Sequence, residues 1–113
     1  MLLPLIEDAA AINELEAIAA IPGIDGLFVG PYDLSLSVGV PGADFNHPKM
    51  SAALDRTVVA CGKRSKAVVT TVGDRQERDY IQGLVKRGVQ GLVLATDALV
   101  LLQACKRMVA FTR

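Results

Sequence analysis

Histidine and cysteine are nearly missing from this 113-residue chain, which carries only His47, Cys61 and Cys105. There is no Cys-x-x-Cys and no histidine at ligand spacing from either thiol, so a Cys/His metal site has no ligands to draw on. Each cysteine falls in an apolar helical pattern and is expected as a buried thiol. His47 precedes Pro48 and is expected to cap a helix or sit in a loop rather than act as a base. Long apolar runs are missing too. Pro4, Glu7, Asp97 and Lys106 interrupt them, and none reaches the ~18 residues that cross a bilayer. An excess of one charge is also lacking: 12 basic and 12 acidic residues give a net charge of zero, without the basic block a nucleic-acid partner requires. Lys63, Arg64 and Lys66 are expected to form a solvated turn. The first residues show neither the basic region nor the cleavage site of a signal peptide, and a soluble, cytoplasmic protein is expected.

Apolar residues are plentiful, at 51% with a mean hydropathy of +0.38, enough for one domain over residues 1–113. The most informative stretch is Gly26-Leu27-Phe28-Val29-Gly30-Pro31-Tyr32-Asp33-Leu34-Ser35. Leu27-Phe28-Val29 between two glycines reads as a buried parallel strand. Pro31 suits the first position of a helix, which sets Tyr32 and Asp33 in a first turn whose N–H groups attract anions. Asp33 is either a favourable first-turn acid or the carboxylate of a site. A second run, Leu2 to Ile6, likewise ends in acids, Glu7 and Asp8.

From Asp8 as N-cap a helix is expected through about Ile21, with Ile12, Leu15, Ile18 and Ala19 inward and Pro22-Gly23 ending it. A short helix follows Pro31 and stops at Gly39, and an irregular loop through Asn46 could overhang the site. Pro48 opens a helix to Cys61, with Gly62 as its C′ residue. Ala67–Val72 reads as a third strand, and the Asp74-x-x-Glu77 capping box starts a helix with Tyr80, Ile81, Leu84 and Val85 inward. Gly91–Ala95 is a fourth strand. Thr96 caps a last helix whose Leu99, Val100, Leu101 and Leu102 need contacts on two sides. The order is α/β, four consecutive β/α units. A complete (β/α)8 barrel takes ~250 residues, so four units make half of one.

Residues Gly23 to Ser35 closely resemble the signature of the HpcH/HpaI class II aldolases, and the resemblance extends from about Ile6 to the last helix. It implies the C-terminal half of a (β/α)8 TIM barrel and a metal-dependent carbon–carbon lyase that cleaves 4-hydroxy-2-oxo acids to pyruvate and an aldehyde. It further implies that Glu7 and Asp33 bind Mg2+ or Mn2+, with Co2+ as an alternative. The turn at Gly30, Pro31, Tyr32 and Asp33 would bind the substrate carboxylate. Independently of the resemblance, the two open edges of four parallel strands and the apolar start of the last helix lead to the expectation of a homo-oligomer. The family's catalytic Arg and His belong to the other half of the barrel; nothing in this sequence stands in for them, and His47 does not match. Leu5 replaces a Gln that some members carry, and Asp8 replaces the commoner Thr. Two alternatives stay open: a catalytically inactive half-barrel or assembly module, and a citrate-lyase-like member of the same superfamily.

Overall fold

A computed structural model of the chain describes residues 1–73 and 75–112. Four strands, β1 (Leu5–Ile6), β2 (Gly26–Val29), β3 (Ala67–Thr71) and β4 (Gly91–Val93), lie side by side in sequence order, all parallel. Parallel neighbours need crossovers. These are α1 (Ala9–Asn13) with α2 (Leu15–Ala19), then α3 (Pro31–Ser37) with α4 (Pro48–Gly62), then α5 (Arg78–Lys86). The last helix, α6 (Asp97–Ala110), follows β4.

The register explains which side of the sheet is covered. Ile6, Val29, Thr70 and Leu92 share one row across the four strands, and Leu5, Phe28, Val69 and Gly91 share the next. Successive side chains on a strand point to opposite faces. The first row joins the core with Leu27, Val68 and Val72, against Ile12 and Leu15 from the first crossover, Met50, Leu54 and Cys61 from α4, and Leu84 from α5. The second row faces the other way, and Leu5 is 56% exposed there. Helices therefore cover one face, as on the outside of a barrel, and leave the inside open.

Several boundaries differ from the sequence reading for local reasons. The first strand is two residues long, although Asp25 and Phe28 still donate backbone bonds to Leu2 and Pro4. The single helix expected after Asp8 is broken at Glu14, whose φ of −108° and ψ of 12° are not helical. Asp8 does cap α1, accepting from the Ala11 N–H at 2.6 Å. Gly62 is the last helical residue rather than a left-handed C′ residue; Ser65 takes the positive φ, 54°. In that basic turn Lys63 and Arg64 are exposed, whereas Lys66 donates to the Ile24 carbonyl. The third strand stops one residue early, at Thr71, and the fourth ends at Val93 instead of Ala95. Asp74 of the expected capping box lies outside the described residues; α5 starts at Arg78, with Glu77 as its N-cap and no side-chain cap bond. Val85 is 55% exposed rather than inward.

Two further capping expectations hold. His47 Nδ1 accepts from the Lys49 N–H at 3.3 Å, and Thr96 Oγ1 from the Leu99 N–H at 3.3 Å. Cys61 is buried but Cys105 is exposed, because α6 buries none of its residues. Among the described residues no helix is long and apolar enough to cross a membrane.

Candidate active site at the carboxyl end of the sheet

Parallel α/β sheets carry their sites at the C-terminal ends of the strands, where loops and helix N-termini gather. Glu7 follows β1 directly and Asp33 is the third residue of the helix that follows β2. Since β1 and β2 are neighbours and parallel, both acids stand at this end of the sheet. The Gly30 N–H donates to the Ile6 carbonyl at 3.0 Å, which brings the residue before Glu7 against the turn before Asp33.

Gly30 joins β2 to α3. It is the N-cap residue of α3, with φ −90° and ψ 97°, and Pro31 occupies the first helical turn. That backbone suits any residue; the need for glycine is spatial. A Cβ on Gly30 would lie 2.7 Å from Glu7 Cγ and 2.8 Å from Glu7 Oε1, closer than atoms pack. The Glu7 carboxyl thus rests in the space that a side chain would fill. Glu7 is half-buried, and Tyr32 and Asp33 are exposed.

Neither Glu7 nor Asp33 belongs to an ion pair among the described residues. Two unpaired carboxylates at neighbouring strand ends are oxygen donors suited to a hard divalent cation completed by water or substrate. The donor chemistry of two carboxylates suits such an ion but makes no closed cage, and the described residues contain no group of three or more His, Cys, Asp or Glu placed to hold one. Tyr32 and Asp33, in the first turn of α3, have N–H groups without an intrahelical partner. Ser37, at the far end of the same helix, accepts from the Ala9 N–H at 2.9 Å and so ties α3 to the loop carrying Glu7 and Asp8.

Tyr32, the residue before Asp33, also borders open space. A cavity of about 390 Å3 is lined by Phe28, Tyr32, Thr71, Gly73, Thr96 and Leu99, among others. The part played by Gly73 was not legible in the sequence: a Cβ there would lie 2.7 Å from the Tyr32 hydroxyl, and its φ of +59° is left-handed, a contact between segments far apart in sequence. His47 caps α4 and is not among the cavity's lining residues.

A one-sided parallel sheet of β/α units with carboxylates at its C-terminal end defines a half-barrel of the enzyme-bearing α/β type. The family model described as HpcH/HpaI aldolase/citrate lyase matches residues 1–104, and the chain belongs to that family. Among its relatives, a hydroxypyruvate/pyruvate aldolase of Paraburkholderia phytofirmans is 37% identical over 106 residues, covering 90% of this chain and 38% of the relative. A 4-hydroxy-2-oxovalerate aldolase of Rhodococcus jostii is 41% identical over 81 residues, covering 70% of this chain and 31% of its own length. The crystal structure of a family protein from Burkholderia cenocepacia superposes with a TM-score of 0.84 at 32% identity, over 98% of this chain and 42% of that one. The chain thus spans well under half the length of these relatives and corresponds to a part of a (β/α)8 barrel.

Proposed function

We propose that this chain supplies the metal-binding half of a pyruvate-class aldolase site, in a carbon–carbon lyase that cleaves 4-hydroxy-2-oxo acids to pyruvate or a related 2-oxo acid and an aldehyde. The observation that carries the reading is the pocketing of the Glu7 carboxyl against Gly30, one helical turn from Asp33, with neither acid in an ion pair among the described residues. Glu7 and Asp33 would hold the cation, Mg2+ or Mn2+ by the chemistry of two carboxylates and water, with Co2+ as an alternative. The N–H groups of Tyr32 and Asp33, beside Gly30 and Pro31, would receive the substrate carboxylate.

In the reaction the C3–C4 bond of the 2-oxo acid breaks. The 4-hydroxyl gives up its proton as C4 becomes the aldehyde carbon, and the electron pair left on C3 spreads onto the 2-oxo oxygen before C3 takes up a proton. A divalent cation at the site would supply positive charge beside that oxygen. This chain's own part is to bind and orient the 2-oxo acid end. Proton transfer calls for an acid/base group, and the only histidine is engaged as the α4 cap. The isolated chain is therefore read as a binding half with negligible turnover.

Calorimetric titration of Mn2+ into the parent chain, Glu7→Gln and Asp33→Asn tests the assignment. Weak binding by the parent and weaker binding by both variants is expected, and equal binding by all three would refute it. A non-catalytic assembly module is favoured instead if neither Mn2+ nor pyruvate binds; the short span relative to the aldolases is what keeps that reading in view. A citrate-lyase-like activity is the third reading, suggested by the family's own description, and a screen of citrate-type substrates separates it.

A further inference from the structure

A cluster beside a second, smaller pocket has no part in the proposed function. Arg75, in the loop between β3 and α5, is held from three sides. Its Nη1 pairs with Asp44, its Nε donates to both Glu77 carboxylate oxygens at 3.0 and 3.1 Å, and its guanidinium carbon lies 4.6 Å from the centre of the Tyr80 ring. The Tyr80 hydroxyl accepts from the N–H of Phe45 at 3.4 Å, and Phe45 is buried in the core. Asp44 and Phe45 belong to the loop between α3 and α4, so one side chain joins two loops that the sequence separates widely. Isolated surface pairs contribute little. Here, however, the side chains of Arg75 and Asp44 are only 35% and 27% exposed, and ion pair, second carboxylate and aromatic face act on one planar cation.

Tyr32 stands between those loops. Its hydroxyl lies against Gly73, in the loop that carries Arg75. Its ring borders a small pocket of about 50 Å3 shared with Asp44, Arg75 and Tyr80, and on the other side the larger cavity containing Phe28, Thr71 and Thr96. Its own helix is tied to the other loop, the one that carries Asp44: Ser35 Oγ donates to the Tyr32 carbonyl at 2.7 Å and accepts from the Gly42 N–H at 3.1 Å.

We propose that Arg75 is a positioning residue: by holding Asp44 and Tyr80 together it fixes the two loops around Tyr32 and keeps that ring, one residue before Asp33, as a wall of the cavity lined by Phe28, Thr71 and Thr96. The inference rests on the reading of Glu7 and Asp33 as the site and deepens it by assigning what sets the width of the adjoining space. A loosened wall would admit a larger group on the substrate's non-reacting end.

The chain has two tyrosines, so ring-13C-tyrosine labelling gives two sets of signals, assigned with Tyr32→Phe. A neutral soluble relaxation agent then reads the exposure of each ring. Tyr32 is 60% exposed, so complete release raises its agent-induced relaxation at most about 1.7-fold, the ratio of full to present exposure. Arg75→Met and Asp44→Asn are each expected to move Tyr32 toward that ceiling while Mn2+ binding stays at the parent value. Parent-like Tyr32 relaxation in both variants, with only Tyr80 disturbed, would overturn the proposal. So would loss of the folded spectrum in both, which would make the pair a part of the fold's stability and not a local positioner. Failure of the parent to bind Mn2+ would overturn the site reading instead, and is read independently of the Tyr32 signals.

Discussion

Replacing Gly30 by Ala tests the site through a single methyl group. The backbone at Gly30, φ −90° and ψ 97°, accepts alanine, so the perturbation is confined to what the new Cβ meets: Glu7 Cγ at 2.7 Å, Oε1 at 2.8 Å and Cδ at 3.2 Å. Ordinary carbon contacts begin near ~3.5 Å, so the Glu7 side chain must retreat by roughly 1 Å. Metal–oxygen bonds tolerate only about 0.2 Å, and a carboxylate displaced that far no longer coordinates in place. Disturbing a group that orients a ligand commonly costs ~10–100-fold in metal affinity, or ~1.4–2.7 kcal/mol. The fold should suffer less. Overpacking costs ~1–3 kcal/mol, but half-buried Glu7 can swing outward, and alanine recovers ~0.4–1 kcal/mol by restricting the unfolded chain. The net change is about 1 kcal/mol or less, a shift in Tm of no more than ~4–8 °C for a domain near this size. Mn2+ calorimetry beside a thermal melt is the assay, with Glu7→Gln as the variant that removes the charge without the clash. Affinity held within about twofold of the parent in Gly30→Ala would refute the claim that Glu7 is a ligand held by that contact.

Three further outcomes are expected. Under native conditions a thiol reagent should label exposed Cys105 at once and buried Cys61 only on unfolding; equal rates would contradict the packing of α4. Burial pushes the Cys61 thiol above its ordinary 9.0 and the Tyr80 hydroxyl above its ordinary 10.0. Their stabilising contribution is therefore complete below those values and is lost as pH rises through the folded ones, so Tm should fall between about pH 8 and 11, less steeply in Tyr80→Phe. Size exclusion with light scattering at micromolar concentration should show self-association, and a sharp, well-folded 12.0 kDa species would refute it.

How much of this was legible follows the range of the interactions. Leu27-Phe28-Val29, Pro31 and Asp33 gave strand, helix start and first-turn acid correctly because each depends on neighbours along the chain. The alternation of strands and helices, Thr96 as a cap and His47 as another were readable for the same reason. The break at Glu14 was not, since Ile12, Leu15 and Ala19 keep a helical spacing across it and are all buried; Arg56 Nη2, donating to the Ile12 carbonyl at 2.8 Å, gives a group freed near the break a partner from a distant helix. Cys105 was expected inside because its neighbours are apolar, but apolar spacing tells only that a face wants covering. At the site, both carboxylates were visible as acids after apolar runs, whereas the fit of Glu7 against Gly30 and of Tyr32 against Gly73 arises only when separate loops meet.

The same distinction separates the two faces of the sheet. The helix-covered face is well filled, with Leu27, Val29, Leu34 and Leu54 fully buried. The opposite face and α6 are unfinished. Leu5 is 56%, Leu101 65% and Phe111 88% exposed, and each such side chain forgoes ~1.5–3 kcal/mol that burial would contribute. Against a typical net stability of ~5–15 kcal/mol, covering a few of them is a large gain. The outer edges of β1 and β4 add unpaired backbone groups, which only another strand can satisfy in kind. Barrel closure meets both demands at once, placing new side chains against the open face and strands against both edges. A second copy of this chain could do so only by setting its own β1 and β4 edges against these, which also brings two sets of carboxylates to the same end of one barrel. Association and Mn2+ binding should consequently be coupled in such an assembly, with a shift in oligomer size on adding the ion, whereas association through α6 alone would leave the two independent.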